Sequence, residues 1–589
     1  MSLVSRQEPP RPDFYRTTVQ SLNGKWQFAF DDEQKGLLLG WHKPGLDLDG
    51  IIEVPFVYQS ALSGIGTAAI HERVWYKRDC IIPDEYRSKR VFLHFGAVDY
   101  KAVVYINGFQ VGTHVGGYTP FQIEITSYCG EGSVTIAVEV EDQPDPAQPR
   151  GKQYWTDQPD RCWYTASTGI WQSVWLEAVD GTRILSAAIT PDIDHEQALF
   201  AIETERFRPD QELEILVTYK GNPVSCIRSL LSDKRVNIWI PMQPPDYIDE
   251  LHYWTPENPH LYDVTLRLYE GNRQTDEVQT YFGMRKIAVE NGRIMLNNQP
   301  IYLKMVLDQG YWKNGELTAP TDEALEADVR LIKAMGFNGV RKHQKIEDPR
   351  FYYWADKLGL LVWGEMPSAY QYGRYEIAAL TRDLQEFVGR DFNHPCIMAW
   401  VPLNESWGVR KMRDSCSQQN FGRSLYYLLK ALDGSRLVCT NDGWESVTTD
   451  IVGIHDYAPN GASFSQKYGV LDASTYPMFR RLYAVGENPE GHAAIMTEFG
   501  GKALAAQTDD VNWGYNSQAD SETELIDAFA EWTAAIRAVS SLCGYCYTQL
   551  SDVHQEVNGL LDHDHVPKVE LSSIAAANFG AAVRKDGCL

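Results

Sequence analysis

An apolar run that ends in an amide and a carboxylate stands in the second half of the chain: Ile397-Met398-Ala399-Trp400-Val401-Pro402-Leu403-Asn404-Glu405-Ser406-Trp407. Apolar runs of this length are typical of buried strands. An amide and a carboxylate at the end of such a strand are costly to bury unless they have partners. The same form recurs in Ala493-Ala494-Ile495-Met496-Thr497-Glu498-Phe499-Gly500-Gly501. Two glutamates at the ends of two buried strands are the minimum set for glycoside hydrolysis with retention.

A rhythm of strand and helix surrounds these two runs from about residue 290 onward. Residues 321–335 predict a helix with an apolar face, and Asp348-Pro349 is typical of the start of the next one. A further helix is predicted over 380–388. Predicted strands are 302–307, 339–341, 360–363, the opening run itself, 437–440, 451–454, 494–497 and 542–547. Eight such units in roughly 300 residues indicate a (β/α)8 barrel.

The barrel prediction brings the two glutamates together. Glu405 ends the fourth predicted strand and Glu498 ends the seventh. In such barrels the chemistry lies at the C-terminal ends of the strands, and these ends face one another across the mouth. The separation of 93 residues along the chain (498 − 405) is therefore compatible with a short distance in space.

The part of the chain before the barrel predicts two β-sandwiches. In residues 1–180, Val134, Ile136 and Val138 alternate, and Asn107-Gly108 between apolar runs predicts a hairpin, which together favour a jelly-roll sandwich. In residues 181–285, short alternating strands such as 213–219 favour an immunoglobulin-like sandwich that acts as a spacer. The remaining residues, 286–589, are assigned to the barrel.

Several phrases in all three parts resemble glycoside hydrolase family 2. They are Leu22-Asn23-Gly24-Lys25-Trp26, Val54-Pro55-Phe56, Gly116-Gly117-Tyr118-Thr119-Pro120-Phe121, Thr168-Gly169-Ile170-Trp171, Trp254-Thr255-Pro256-Glu257-Asn258-Pro259, His394-Pro395 leading to Asn404-Glu405, and Thr497-Glu498-Phe499-Gly500. The first four resemble the sugar-binding domain of that family, and the last two resemble its catalytic signatures. The resemblance implies that Glu405 is the general acid/base and Glu498 the nucleophile.

The chemistry required of the two glutamates predicts their surroundings. An acid must hold its proton near neutral pH, so Glu405 needs an apolar or anionic setting that raises its pKa. We expect Trp400 and Trp407 to supply apolar walls. A nucleophile must stay ionised, so Glu498 needs a cation, for which we select Arg341 at the end of the second strand.

Other strand ends supply candidates for substrate binding. Asn404 is suited to donate its amide to the sugar 2-hydroxyl, a hydrogen bond that strengthens in the transition state. Tyr457 resembles the family's tyrosine that hydrogen-bonds the nucleophile, whereas Arg341-Lys342-His343-Gln344 departs from the family's Ser-His phrase. The further candidates, each of which is as well explained by loop capping or packing, are His343, Asp308, His455, Asn441, Asp442, Trp444, Trp513, Tyr515, Gln549, Asp552 and Glu556.

The identity of the sugar depends on the end of the eighth strand. β-Glucuronidases of the family carry Asn-x-Lys-Gly there, and the lysine holds the substrate carboxylate, but this chain has Glu556-Val557-Asn558-Gly559. We therefore expect a neutral terminal sugar, with galactose ahead of galactofuranose or arabinose, and with β-glucuronidase as the alternative. The chain ends at Leu589, so we do not expect the extra C-terminal domains of the large β-galactosidases. A non-catalytic carbohydrate-binding protein on the same scaffold is the alternative from another class.

The composition of the chain limits the classes of molecule that it is expected to bind. The formal net charge of −25 argues against nucleic acid and against an anionic membrane surface. No apolar run is long enough for a transmembrane helix, and the N-terminus has no signal-peptide core, so we expect a cytoplasmic protein. Scattered cysteines, with Cys543-x-x-Cys546 in an apolar run, favour packing over metal binding, and we expect neither a metal nor a cofactor. The predicted partner is a small-molecule or oligosaccharide substrate, and a homo-oligomer is compatible with it.

Overall fold

The computed structural model describes residues 6–130, 132–242, 251–469, 481–487, 491–504 and 511–580. Within these ranges three large hydrophobic cores follow one another along the chain. The first lies between residues 22 and 178, the second between 184 and 284, and the third mainly after 287. We keep 1–180, 181–285 and 286–589 as the proposed domain bounds.

The first unit is a two-layer β-sandwich. Its elements are β1 (Val19–Ser21), β2 (Gly24–Phe30), α1 (Gly36–Leu39), β3 (Gly50–Val54), β4 (Arg73–Ile81), β5 (Arg90–Phe95), β6 (Val98–Asp99), β7 (Lys101–Ile106), β8 (Phe109–Val115), β9 (Phe121–Glu124), β10 (Ser133–Glu141), β11 (Gly169–Ile170) and β12 (Val174–Val179). The two main sheets have the strand orders β1-β12-β5-β9 and β3-β2-β4-β10-β7-β8. Asn107 and Gly108 connect β7 to β8 with positive φ angles of 52° and 85°, as the hairpin prediction requires.

The second unit is another antiparallel sandwich. Its strands are β13 (Ile184–Asp192), β14 (Gln197–Thr204), β15 (Gln211–Tyr219), β16 (Asn222–Leu230), β17 (Arg235–Pro241), β18 (Tyr262–Glu270) and β19 (Arg273–Phe282). They form one sheet in the order β13-β14-β17 and another in the order β16-β15-β18-β19. Alternate residues of β15 are buried in the core, which confirms the alternation read from the sequence.

The third unit is a parallel (β/α) barrel preceded by a small antiparallel sheet, β20 (Ile287–Glu290), β21 (Arg293–Leu296) and β22 (Gln299–Pro300). The barrel strands are β23 (Leu303–Asp308), β24 (Gly339–Lys342), β25 (Leu361–Glu365), β26 (Ile397–Val401), β27 (Leu437–Val438), β28 (Ile451–His455), β29 (Ala493–Gly500) and β30 (Leu542–Thr548). The helices are α2 (Asp322–Ala334), α3 (Pro349–Leu358), α4 (Arg374–Asp391), α5 (Cys416–Leu432), α6 (Gly461–Tyr468), α7 (Glu522–Arg537) and α8 (Leu571–Phe579). The order β27-β26-β25-β24-β23-β30-β29-β28 makes a nearly closed eight-stranded barrel and confirms the predicted fold class.

The helix ends follow local rules. The side chain of Thr321 accepts a hydrogen bond from the backbone of Ala324 and begins α2. Asp348 caps α3, Pro349 occupies its first position, and Gly359 ends it with a left-handed φ of 77°. The barrel strands are buried along their length because helices cover their outer faces, so they read as continuous apolar runs.

The first unit packs directly on the barrel. A segment of the first unit, residues 150–164 (the bridging segment), lies against the loop after β25. Backbone N–H groups of Arg150 and Gly151 donate to the carbonyl of Ser368 at 3.1 and 3.0 Å, and the hydroxyl of Tyr370 donates to the carbonyl of Gly151 at 2.6 Å. The bridging segment therefore reaches the C-terminal side of the barrel, where the strand ends carry the predicted site.

Two further sequence expectations can be placed in the described part of the chain. Cys543 and Cys546 lie in β30, are buried without a disulfide bond, and belong to the barrel core. No helix in the described ranges combines the length and the apolar character that crossing a membrane requires.

Candidate active site

The two glutamates of the sequence signatures lie together at the barrel mouth. Glu405 follows β26, and Glu498 lies near the C-terminal end of β29. One carboxylate oxygen of each glutamate and one ring nitrogen of His455 form a group in which all three atoms lie within 4.8 Å of one another. The two carboxylates are thus close enough to act on the same bond of one bound molecule.

Two donors hold the carboxylate of Glu498. Arg341 Nη1 donates to Oε1 at 3.0 Å, and the hydroxyl of Tyr457 donates to Oε2 at 2.8 Å. Hydrogen bonds and a cation both favour the ionised form of a carboxylate. The ring of Tyr457 is itself fixed, because it stacks on Tyr515 with 3.8 Å between ring centroids. This arrangement fixes the orientation of the Glu498 carboxylate at the barrel mouth.

Arg341 is the centre of a buried ion-pair network at the base of the site. Its side chain is fully buried, its Nε donates to Glu365 at 2.7 Å, and its Nη1 lies 2.8 Å from Oδ2 of Asp442. Its Nη2 donates to Oδ1 of Asn404 at 2.7 Å. Because the guanidinium occupies the amide oxygen, Asn404 is left with its amide nitrogen as the donor for a ligand.

The backbone turns sharply at Glu405. Glu405 and Ser406 have left-handed φ angles of 49° and 54°, which non-glycine residues rarely adopt. The turn is held by the backbone of Glu405, which donates to the carbonyl of Asp442, and by the backbone of Ser406, which donates to Oδ1 of Asn441. The side chain of Glu405 is 19% exposed, against 8% for Glu498, so Glu405 is the carboxylate nearer to the opening.

His455 connects both glutamates. Its Nδ1 lies 2.8 Å from Oε1 of Glu405 and 3.3 Å from Oε2 of Glu498, and its Nε2 lies 3.4 Å from Asp442. Burial alone would lower the pKa of His455, but the carboxylates of Glu498, Asp442 and Glu405 raise it to about 10. The ring therefore carries a proton that it can share with Glu405 across their hydrogen bond.

The surroundings of Glu405 differ from the expectation. Burial raises its pKa, as expected, but the hydrogen bond and charge of His455 outweigh burial and hold the pKa below its ordinary value. The proton that the chemistry requires is held by the histidine–glutamate pair rather than by an isolated carboxyl group. The sequence alone could not reveal this because His455 belongs to a different strand.

Trp400 is not a wall of the site, and this expectation was wrong. The side chain points out of the barrel, where its ring packs on Phe387 of α4 and its Nε1 donates to Asp433 at 2.9 Å. Trp407 does lie at the mouth, beside Trp444, Trp163 and Tyr370, and these four residues form an aromatic rim.

Two of the predicted residues, Asp308 and Gln549, make their polar contacts away from the two glutamates. Asp308 is buried and pairs with Lys342 at 2.6 Å, in an ion cluster below the mouth. Gln549 is buried between Gln309 and Asn558, with which it makes hydrogen bonds of 2.9 and 2.8 Å. We therefore assign structural roles to Asp308 and Gln549, because their polar atoms are used within the protein.

His343 and Asp442 lie behind the Arg341 network. His343 Nδ1 is 3.0 Å from a carboxylate oxygen of Glu365, and burial lowers the pKa of His343 well below its ordinary value. Asp442 accepts a hydrogen bond from the hydroxyl of Thr497 at 2.8 Å, and although burial raises its pKa, the charge of Arg341 lowers it overall. His343 therefore stays neutral and Asp442 stays ionised.

Glu556 interacts with two residues of the first unit, Lys152 and Tyr164, that the sequence did not predict at the site. Glu556 is only 1% exposed and accepts hydrogen bonds from the hydroxyl of Tyr164 at 2.7 Å and from the amide of Asn558 at 3.1 Å. Burial raises its pKa, and the charge of Lys152 opposes that shift. Lys152 and Tyr164 both belong to the bridging segment, whose only signal in the sequence is an aromatic-rich stretch without strand alternation, Tyr154-Trp155 to Trp163-Tyr164.

Two groups of side chains in the described ranges have the composition of metal ligands. One is Glu405, His455 and Glu498. The other is Asp356, His394 and Cys396, in which Asp356 accepts from His394 at 2.6 Å and from the backbone of Cys396 at 2.8 Å. The hydroxyl of Tyr281 also donates to Asp356, at 2.9 Å, so this second group joins the second unit to the barrel.

Family comparisons agree with the three-unit architecture. The family descriptions that match are "Glycosyl hydrolases family 2, sugar binding domain" over residues 19–179, "Glycosyl hydrolases family 2" over 182–285 and "Glycosyl hydrolases family 2, TIM barrel domain" over 287–574.

Individual relatives carry two different names. A β-galactosidase of Thermoanaerobacter pseudethanolicus is 28% identical over 62% of this chain and 47% of its own length. A β-glucuronidase of Paenibacillus borealis is 24% identical over 66% of this chain and 68% of its own length. The chain thus spans about half the length of the galactosidase, and only 31% of the length of another curated relative.

Among solved structures, the apo β-glucuronidase of Ruminococcus gnavus superposes with a TM-score of 0.77 at 18% identity, covering 95% of this chain and 97% of the other. At that identity the similarity concerns the fold alone.

Proposed function

This chain belongs to glycosyl hydrolases family 2, and on that basis we propose that it is a retaining exo-β-glycosidase that releases a terminal neutral sugar by double displacement. The observation that carries the proposal is the proximity of Glu405 and Glu498. One carboxylate oxygen of Glu405 lies within 4.8 Å of one carboxylate oxygen of Glu498. Retaining glycosidases hold their carboxyl groups about 5–5.5 Å apart, whereas inverting enzymes leave room for a water molecule between them.

In the first step, Glu498 attacks the anomeric carbon while the bond to the leaving-group oxygen breaks. Glu405 gives its proton to that oxygen, so the leaving group departs as a neutral alcohol and the sugar stays on Glu498 as an ester. Arg341 and Tyr457 orient the attacking carboxylate. The amide nitrogen of Asn404 is placed to donate to the 2-hydroxyl, where charge develops in the transition state.

In the second step, Glu405 acts as a base. It removes a proton from a water molecule, the water oxygen bonds to the anomeric carbon, and the bond to Glu498 breaks. Two inversions at the same carbon restore the original anomeric configuration. The enzyme returns to its starting state with Glu498 ionised and one proton on the Glu405–His455 pair.

His455 supports both steps as a proton-holding partner of Glu405. The 2.8 Å contact between Nδ1 and Oε1 allows one proton to reside on either group. Close to Glu405, the imidazolium also offsets the repulsion between two carboxylates that would otherwise face each other. His455 Nδ1 also lies 3.3 Å from Oε2 of Glu498, so the imidazolium reduces the repulsion on that carboxylate as well.

A neutral sugar is favoured by the charges around the pocket. Arg341 is shared among Glu365, Asp442 and Glu498, and the charge of Lys152 interacts electrostatically with Glu556, Glu498 and Glu405. Carboxylates outnumber cations in this set even before a substrate binds. A further carboxylate on the sugar would meet repulsion in a largely desolvated site. We place β-galactosides first among neutral substrates, and one curated relative is a β-galactosidase.

β-Glucuronides are the second candidate. Lys152 supplies a cation close to Glu556, at the position where the sequence suggested that the cation had been lost. A curated relative and a structural neighbour are β-glucuronidases. A direct comparison of the two aryl glycosides therefore decides the order of the two candidates.

Covalent labelling tests the mechanism. We expect an activated 2-deoxy-2-fluoro glycoside to inactivate the enzyme and to add its mass to the peptide that carries Glu498. Proton NMR of early product should show the anomer of the substrate. A label on another residue, an inverted product, or full activity in Glu498→Ala would contradict the proposal. A panel of aryl galactosides, galactofuranosides, arabinofuranosides and glucuronides identifies the sugar.

A further inference from the structure

Lys152 is delivered to the barrel mouth by the first unit. The bridging segment fixes its backbone, since the neighbouring Gly151 donates to Ser368 and accepts from Tyr370, and the carbonyl of Lys152 itself accepts from the backbone of Tyr164 at 2.8 Å. Tyr164 is anchored in turn on Glu556. Contacts on both sides of the lysine therefore tie it to the barrel rather than to the surface of its own unit.

The ammonium group of Lys152 has no protein partner in the described part of the chain. The residue is only 8% exposed, yet its Nζ makes no hydrogen bond and no ion pair there. Other buried lysines of this protein are well satisfied: Lys342 contacts Asp308 and Glu347 at 2.6 Å each, and Lys345 contacts Glu347 at 2.8 Å and two carbonyl groups. Buried ammonium groups without partners are rare because their desolvation is costly.

The side chain nevertheless lies within the electrostatic reach of the catalytic groups. Burial lowers the pKa of Lys152, but Cys162, Glu556, Glu498 and Glu405 raise it above its ordinary value, so the group is charged. The same charge acts on Glu405, Glu556 and His343. A charged donor that no described residue pairs with, within electrostatic reach of both catalytic carboxylates, has its hydrogen-bonding capacity available for a ligand in the site.

We propose that Lys152 binds the terminal sugar of the substrate, donating hydrogen bonds from its ammonium group to uncharged hydroxyl groups, so that the first unit supplies a specificity-determining part of the sugar pocket. This inference rests on the proposed function and names the contact that reads the sugar. It names one residue of the first unit, a unit whose phrases resemble a sugar-binding domain, as a contact of the bound sugar.

Hydroxyl groups fit Lys152 better than a carboxylate does. Glu556 is almost fully buried, and Tyr164 and Asn558 hold one oxygen each, so it stays in place behind the lysine. Glu556 thereby balances the charge of Lys152 without forming an ion pair with it. A sugar hydroxyl can accept from the ammonium group without adding charge, whereas a uronate would add another anion to the carboxylates already present.

Substitution of Lys152 separates binding from structure. We expect Lys152→Met to lower kcat/KM for the best neutral aryl glycoside by about 10- to 100-fold, the usual loss when a charged hydrogen bond to a ligand is removed. We also expect its thermal midpoint to fall only slightly, because within the described ranges Lys152→Met breaks no hydrogen bond or ion pair and removes only longer-range charge interactions. Lys152→Arg should recover part of the activity. The matched control is Lys25→Met, an exposed lysine of the same unit, which should leave kcat/KM unchanged.

A binding measurement keeps this inference separate from the catalytic proposal. Isothermal titration in the Glu498→Gln background, with and without Lys152→Met, uses p-nitrophenyl β-D-galactopyranoside, the corresponding galactofuranoside and arabinofuranoside, and p-nitrophenyl β-D-glucuronide. Weaker binding of the preferred neutral glycoside in the Lys152→Met protein supports the inference even if wild-type turnover is absent. Equal affinity, a loss confined to the glucuronide, or failure of the parent to bind any neutral glycoside overturns it.

Discussion

Nδ1 of His455 lies 2.8 Å from Oε1 of Glu405, at the junction of two strand ends that are not neighbours in the sequence. The contact turns a carboxylate that burial would keep protonated into half of a proton-sharing pair. The pair holds one proton between the low pKa of Glu405 and the pKa of about 10 that its carboxylate neighbours give to His455. General acid catalysis in this site is therefore a property of two side chains.

Replacing His455 should narrow the pH profile. In the wild-type enzyme, the alkaline limb of kcat/KM reports loss of the last proton of the pair, at high pH. In His455→Asn the cation that lowers the pKa of Glu405 is gone, burial then raises that pKa, and the alkaline limb belongs to Glu405 alone. We expect this limb to move to lower pH. His195→Asn, at a histidine that is 74% exposed, is the control, and an unchanged limb in His455→Asn would contradict the assignment.

The same histidine links stability to pH. Its pKa is raised from 6.5 to about 10 on folding, so its contribution to stability is fully present below pH 6.5 and is lost as the pH rises toward 10. We expect urea midpoints of the wild-type protein to fall over this range. In His455→Asn the slope should be smaller, and equal slopes in the two proteins would count against a raised pKa.

Substitution of Arg341 should lower the free energy of unfolding more than substitution of an arginine at the protein surface. Arg341→Met leaves the carboxylates of Glu365, Asp442 and Glu498 without their shared cation, and breaking buried pairs of this kind costs ~3–5 kcal/mol. Chemical denaturation followed by tryptophan fluorescence measures the loss. Arg330→Ala is the control, since Arg330 is 61% exposed and pairs with Glu326 on the surface of α2, and a comparable loss in both variants would refute the network.

Tyr457→Phe isolates one hydrogen bond to the nucleophile. The substitution removes the 2.8 Å contact to Oε2 of Glu498 and leaves the stacking on Tyr515 in place. We expect kcat to fall by about 10- to 100-fold, since hydrogen bonds to charged groups contribute about 1.5–3 kcal/mol, with a small change in unfolding free energy. Tyr427→Phe, at an exposed tyrosine, should behave as wild type. Retention of full activity would show that Arg341 alone orients Glu498.

Zinc ions should inhibit the enzyme. Glu405, Glu498 and His455, once zinc has displaced the proton of its ring, present three donor atoms within 4.8 Å of one another, a set that suits a tetrahedral Zn²⁺ site with one open position. We expect inhibition by Zn²⁺ that substrate relieves, and little effect of Mg²⁺, which prefers oxygen ligands. His455→Asn should raise the inhibitory concentration by on the order of tenfold or more. Equal sensitivity in the variant would place the zinc elsewhere.

The barrel could be predicted from sequence because its signals are local. Thr321 and Asp348 cap the helices that follow them, and apolar runs mark the strands between. The C-terminal ends of eight barrel strands meet at one mouth, so the strand count alone predicts that Glu405 and Glu498 lie close together.

The details of the site depend on information that a linear pattern lacks. Trp400 stands near Glu405 in the sequence, but its ring packs on Phe387 of α4 and its Nε1 donates to Asp433. Asp308 ends a strand as expected, but its carboxylate forms an ion pair with Lys342 on the next strand. The pKa of Glu405 depends on His455, and the charge near Glu556 depends on Lys152, which comes from another folding unit. Long-range pairing of this kind is decided by packing between elements.

The bridging segment means that this enzyme cannot be divided at the boundary between its first unit and its barrel. A barrel expressed alone would keep both catalytic glutamates but would lack Lys152 and the tyrosine that holds Glu556. Conversely, if Lys152 binds the sugar as proposed, exchange or recombination of the first unit would replace that contact and leave Glu405 and Glu498 untouched. Diversification of sugar preference in such an architecture can therefore proceed by shuffling of an accessory unit, without a single mutation in the barrel.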